Sequence, residues 1–204
     1  MRRDRRAVLV SVVGITLVIA AMVGVGYRMF DSLSGGLRFR SSSSRSTSEE
    51  PVELPSGRVS YSAAPQLDGF DEVAVVGSWS VSLKQGDEYA VQYSAGDRAV
   101  DRVEVYTLGD RLYLALPPGV EIMNPDLSAS VTLPQLRRVD TDGGASLSLL
   151  GFETDSLHIE VDGAASVTAV DCSIGRLVLD TDGAATLDFS SSRVENAEVT
   201  LDGA

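Results

Sequence analysis

Six acidic side chains recur at a fixed interval near the C-terminus: Asp140 with Asp142, Glu160 with Asp162, and Asp180 with Asp182. The second member of each pair precedes a glycine (Gly143, Gly163, Gly183), and the pairs stand twenty residues apart. Carboxylates two positions apart on a strand point the same way, and stacked carboxylate oxygens are a donor set that Ca²⁺ accepts. The six are therefore the candidate metal ligands, arranged as a calcium ladder. The competing chemistry is local, because an Asp beside a glycine accepts hydrogen bonds from turn N–H groups. Ionised neighbours stacked ~4.8 Å apart repel by ~0.9 kcal/mol per pair in water, so one of the two must offset that cost. The segment lacks the Gly-Gly-x-Gly-x-Asp nonapeptide of calcium-binding β-rolls.

Two other side chains have reactive chemistry. His158, the single histidine, falls on the polar parity of the pattern and reads as an exposed bystander rather than a general base. Cys172, the single cysteine, leaves no intramolecular disulfide and reads as a small buried side chain. Paired carboxylates can act as acid and base in glycoside cleavage, which keeps a polysaccharide-acting enzyme as one alternative. The acids, however, follow the twenty-residue register, as structural residues do. No catalytic residue is assigned, and the chain reads as non-enzymatic.

The elements that carry these residues emerge when the last rows are stacked by twenty. Val139, Ile159, Leu179 and Val199 form one column; Thr141, Val161, Thr181 and Leu201 form the next. Gly143, Gly163, Gly183 and Gly203 follow, then Ala145, Ala165 and Ala185, then Leu147, Val167 and Leu187. Columns two residues apart have the period of a strand, with one face apolar or small and the other polar. A fixed period with strand alternation predicts an all-β fold, a right-handed parallel β-solenoid (β-helix) with about 20 residues per coil. The glycines would sit where the coil turns, since glycine permits positive φ and close backbone approach.

Upstream, VAVVGSWSVSL at 73–83 falls on the same alternation, with Trp79 in place of the small residue. A bulky aromatic in an atypical first coil predicts a cap over the end of the core; a ligand-stacking ring is the alternative. Further strands are predicted at 88–94, 102–107, 111–116 and 127–133, with Gly-Asp turns at 86–87, 96–97 and 109–110. The sequence stops at Ala204 in mid-coil, which predicts a C-terminal edge open to self-association.

Residues 7–26, AVLVSVVGITLVIAAMVGVG, contain no charge. Twenty helical residues reach ~30 Å, the thickness of a bilayer's hydrocarbon core, so one N-terminal transmembrane helix is predicted. Arg2, Arg3, Arg5 and Arg6 crowd its leading flank and place residues 1–6 in the cytoplasm. A cleaved signal peptide is the alternative. Residues 27–65 are rich in Ser and Pro and read as a flexible tether, leaving 66–204 as an extracytoplasmic domain of a single-pass cell-membrane protein. Residues 60–204 carry 8 Arg/Lys against 24 Asp/Glu, a net of −16. They lack the basic footprint that nucleic acid needs, which excludes that partner.

Three stretches together carry a family resemblance: GFDEVAVVGSWSVSLKQGDEY at 69–89, RLYLAL at 111–116, and the DGGAS, DGAAS and DGAAT steps after 140. They resemble the auto-transporter adhesin, head GIN domain family of bacterial envelope proteins, over about residues 66–204. The resemblance implies a β-solenoid exposed outside the cell and an adhesive role, and it supplies no catalytic residues. The reading that follows is a membrane-anchored module that binds a protein or glycan at the surface or serves as a structural part of the envelope. The alternative is an envelope-stress or signalling component, which would need a membrane partner because its cytoplasmic segment is so short.

Overall fold

The computed structural model describes residues 7–10, 16–19, 51–53, 59–117 and 126–202, with side chains from Ser62 onward. The described residues form twelve strands in chain order. These are β1 (Ala7–Val10), β2 (Thr16–Ile19), β3 (Pro51–Glu53), β4 (Val59–Ala63), β5 (Glu72–Val76) and β6 (Trp79–Gln85). They continue with β7 (Ala90–Gly96), β8 (Glu104–Leu108), β9 (Arg111–Ala115), β10 (Leu127–Leu133), β11 (Arg138–Leu150) and β12 (Glu153–Leu201).

The alternating columns set the register of the parallel part. Strand β11 runs parallel to β12 with Val139 beside Ile159, Gly143 beside Gly163 and Leu147 beside Val167. On its other side β11 meets β5 and β6, also parallel, with Val73 beside Val139 and Trp79 beside Ala145. A straight strand of the 49 residues of β12 would run about 160 Å. Instead the chain returns on itself: Ser173 N–H donates to Phe152 C=O at 2.7 Å and Asp202 N–H to Thr181 C=O at 2.8 Å. Val73, Val139, Ile159, Leu179, Leu83, Leu149 and Phe152 are buried in one continuous core.

The sheet as a whole is mixed, and this corrects the expected right-handed parallel β-solenoid. It curls into a half-barrel in the order β3-β4-β7-β10-β6-β11-β5-β9-β8, with β12 attached to β11. Antiparallel pairs join β3 to β4, β4 to β7, β7 to β10 and β8 to β9. The physical reason lies in the connections. Only Gly109 and Asp110 separate β8 from β9, and a two-residue link reverses the chain, whereas a parallel partner needs a crossover of a dozen or more residues. Gly109 has φ +65, the left-handed conformation such a turn requires. Strand β10 lies between β6 and β7, parallel to the first and antiparallel to the second, so these neighbours in sequence are not neighbours in the sheet.

The expected N-terminal helix is also corrected where the backbone is described. Ala7–Val10 and Thr16–Ile19 are extended, and they pair antiparallel with Ala197–Thr200 and Ala185–Asp188. The C-terminal edge expected to be open thus carries two short strands. The rest of 7–26 and most of 27–65 lie outside the described residues, as do 1–6. Among the described residues no helix is long and apolar enough to cross a membrane. Strand β4 falls within the segment expected as a tether and pairs with β7 from Ser60 to Ala63.

Candidate functional site

The outer face of the parallel strands gathers all six candidate acids, but it divides them into two columns with different surroundings. In the first column each acid meets a base. Asp140 forms an ion pair with Arg111 Nη1 at 2.6 Å and accepts a hydrogen bond from Arg138 Nε at 2.6 Å. Arg138 also pairs with Glu160. Asp180 Oδ2 lies 2.8 Å from Nε2 of His158. Arg111 reaches across to Glu72 on β5 at 2.7 Å, so the ion pairs run across β9, β5, β11 and β12. The register explains this: Arg111, Glu72, Arg138 and His158 are successive Cα partners in one row, and the acids occupy the next.

His158 is therefore a bridge and not the bystander expected from parity. Arg138 Nη1 lies 3.0 Å from its Nδ1. A guanidinium has no acceptor, so Nδ1 accepts and the ring proton sits on Nε2, donated to Asp180. Its partners, from twenty and twenty-two residues away, come from separate turns of the chain, so no local sequence signal marks them.

The second column has no such partners. Asp142, Asp162 and Asp182 are exposed, and among the described residues none of their carboxylates accepts a hydrogen bond or pairs with a base. The turn hydrogen bonds expected as the local explanation do not form. Partial burial among its neighbours, and then the charges of Asp142, Asp182 and Glu160, hold the Asp162 carboxyl above its ordinary value of 3.8. The glycines enforce the stacking. Gly143, Gly163 and Gly183 have φ of +118, +106 and +141, and an added Cβ on Gly163 would come within 2.7 Å of Gly143 C=O. The backbones approach too closely for any side chain, which fixes the aspartates before them one strand spacing apart.

The sign of the pH effect follows. The folded chain holds the Asp162 proton more tightly than the unfolded chain, so this group's contribution rises as pH falls from neutral through the raised value towards 3.8. Asp188 acts oppositely. Hydrogen bonds from the Ser190 side chain and backbone hold its carboxyl low, so its contribution is lost as pH falls through that lowered value. Asp162→Asn isolates the first effect. The variant is expected to gain at most about 0.5 kcal/mol at neutral pH and low salt once solvent screening is allowed for, with the gain shrinking at acid pH and in high salt. Thermal melts of both chains at two pH values check it.

A second acidic group was not anticipated from the sequence. Carboxylate oxygens of Asp71, Glu72 and Asp110 converge within 4.8 Å. Arg137 occupies this cluster, with Nη2 2.7 Å from Asp71 and 3.0 Å from Asp110, so its cation comes from the chain itself. Cys172 is buried, as expected, with Sγ 3.4 Å from Val170 C=O. Trp79 is 3% exposed and donates its indole N–H to Val76 C=O at 3.1 Å. That excludes the ligand-stacking ring. The ring lies between β10 and β11, beside Leu127 and Ala145, within the body of the sheet.

Residues 69–204 match the family described as "Putative auto-transporter adhesin, head GIN domain". The chain belongs to this family. Among solved structures it is similar to a "putative adhesin" from Bacteroides fragilis, with a TM-score of 0.52 at 14% identity, covering 66% of this chain and 72% of that one. It is also similar to a "Putative lipid binding protein" from Parabacteroides distasonis, with a TM-score of 0.49 at 13% identity, covering 66% and 75%. At 14% identity the Bacteroides likeness speaks for the fold alone. No curated protein matches the chain.

Proposed function

We propose that the chain is a non-enzymatic binding module of the bacterial cell surface, whose contact face is the unpaired acid column Asp142, Asp162 and Asp182. One observation carries the proposal: two adjacent columns of acids differ, the first met by Arg111, Arg138 and His158, the second by no base. Like charges held together at a cost to stability, while the acids of the next column are ion-paired or hydrogen-bonded, mark a trade of stability for recognition. Such a face selects positive charge, either cationic groups on a partner's surface or Ca²⁺ bridging to a protein or glycan. The head GIN family supports the surface role. The non-enzymatic reading agrees with that membership and with acids that stand in structural register.

In this reading the domain matched to the family, residues 69–204, stands outside the cell membrane. Protease treatment of intact cells is expected to cut within 31–50, and protection of that segment would overturn the surface location. The binding role is tested by adhesion of cells producing the full chain to surfaces coated with a cationic polymer, a neutral polysaccharide or an anionic polysaccharide, with and without Ca²⁺. Adhesion above the level of empty cells is expected on the cationic surface without calcium, or on the polysaccharides with it. Replacing Asp142, Asp162 and Asp182 together by Asn should remove it. Equal adhesion by the triple variant would sink the proposal.

A further inference from the structure

We propose that the chain pairs with a second copy of itself through the free edge of β8, in one specified register. Among the described residues, strand β8 ends the sheet path, with β9 on one side only. It carries two of the exposed large hydrophobic side chains among the described residues, Tyr106 at 41% and Leu108 at 66%. Natural edge strands are commonly blunted by lysine, proline or a bulge, and residues 104–108 contain neither lysine nor proline.

The hydrogen-bonding direction of each residue follows from its neighbours. Glu72 N–H donates to Asp110 C=O and Leu116 N–H to Val76 C=O, so even-numbered residues of the β9 segment face β5. Odd-numbered ones face β8, where Arg111 pairs with Leu108 and Tyr113 with Tyr106. Backbone groups of Glu104, Tyr106 and Leu108 are thus used towards β9, and those of Val105 and Thr107 point out of the sheet.

Three antiparallel registers of two β8 strands about a two-fold axis use these outward groups. With the axis between the two copies of Val105, Tyr106 faces Glu104 of the second copy. With it between the two copies of Thr107, Tyr106 faces Leu108 of the second copy. With the axis at Tyr106, Val105 bonds Thr107 of the second copy and the tyrosines meet at a position without backbone hydrogen bonds, where side chains come closest. Tyr106 already stacks on Tyr113 at 5.0 Å and 9°, so the pairing extends two rings into four at the spacing of the strands. Aromatic complementarity selects the register centred on Tyr106, the one in which the two rings meet. Five residues a side bury little area, so the association should be weak, with a Kd on the order of 100 µM.

The test is sedimentation velocity of the full chain in detergent from about 1 to 500 µM, a range that brackets such a Kd. A monomer–dimer equilibrium is expected. Thr107→Pro removes an outward N–H without touching a bond to β9, and it should weaken the dimer at least about tenfold with the melt unchanged. As a second readout, Tyr106→Cys should form a disulfide-linked dimer on oxidation, because Cα atoms ~4.5 Å apart at the axis lie within disulfide range. Leu108→Cys should not, since its two copies stand about 13 Å apart along the strands. A monomer at every concentration, equal cross-linking by both cysteines, or a dimer unaffected by Thr107→Pro would each overturn the proposal.

Discussion

Replacing Gly163 with Val is expected to destabilise the domain by at least about 3 kcal/mol, enough to lower its melting temperature by several degrees or to prevent folding. Two effects combine. The residue has φ +106, where a β-branched side chain is strained, and an added Cβ would stand 2.7 Å from Gly143 C=O and 3.1 Å from its N. The opposing atoms are backbone, so no rotamer change relieves the contact. Gly143 is itself pressed against Gly77, where an added Cβ would lie 3.0 Å from the Gly77 C=O, and Gly183 against Gly163. Any shift at Gly163 therefore propagates along the column. Gly151 is the control: it has φ +69 with open space around it, so Gly151→Ala isolates the strain of positive φ without the clash. Chemical denaturation of the three chains measures the difference, and equal losses for the two variants would show that backbone approach contributes nothing.

The second large effect is expected from Trp79→Ala, a loss of about 3–5 kcal/mol. The indole is 3% exposed and its N–H is satisfied by Val76 C=O. Its Cα partner on β11 is Ala145, which continues into the Ala145, Ala165 and Ala185 column. Ala145, Ala165 and Ala185 are all buried. Truncation leaves a cavity between β10 and β11 and removes the acceptor's partner. Trp79→Phe should keep most of the packing and lose the hydrogen bond, about 1 kcal/mol. A Trp79→Ala chain with an unchanged melt would mean that the ring is not part of the core.

These residues also show how far the sequence could be read. Val139, Ile159 and Leu179 were legible as an inward column because burial and strand alternation share the same period, and the structure buries all three. The glycine column was legible because the residue type reports positive φ and close backbone approach directly, although the structure places these glycines within strands and not at turns. The antiparallel half was not deduced, although the Gly-Asp step at 109–110 contained the information: the two-residue link it marks can only reverse the chain. The placement of β10 between β6 and β7 had no signal, because it depends on which edges remain free once the other strands have paired.

At the site, the six acids were found from type and spacing, but their division into a paired and an unpaired column was not. That division depends on Arg111, Arg138 and His158, which enter from row neighbours on other strands or turns and whose long side chains reach diagonally to the next row. Position along the sequence does not report such reach. The Asp71, Glu72 and Asp110 cluster escaped notice for the same reason, since Arg137 comes from a distant segment to fill it.

The central claim is that Asp142, Asp162 and Asp182 form a column of negative charge left for an external cation. The most direct measurement is the melting temperature of the full chain titrated with Ca²⁺ at constant ionic strength, beside the chain with all three replaced by Asn. The account predicts that the triple variant melts higher without calcium. It also predicts that calcium raises the melt of the natural chain saturably and leaves the variant unmoved. A variant that melts lower, together with identical calcium responses from both chains, would contradict it.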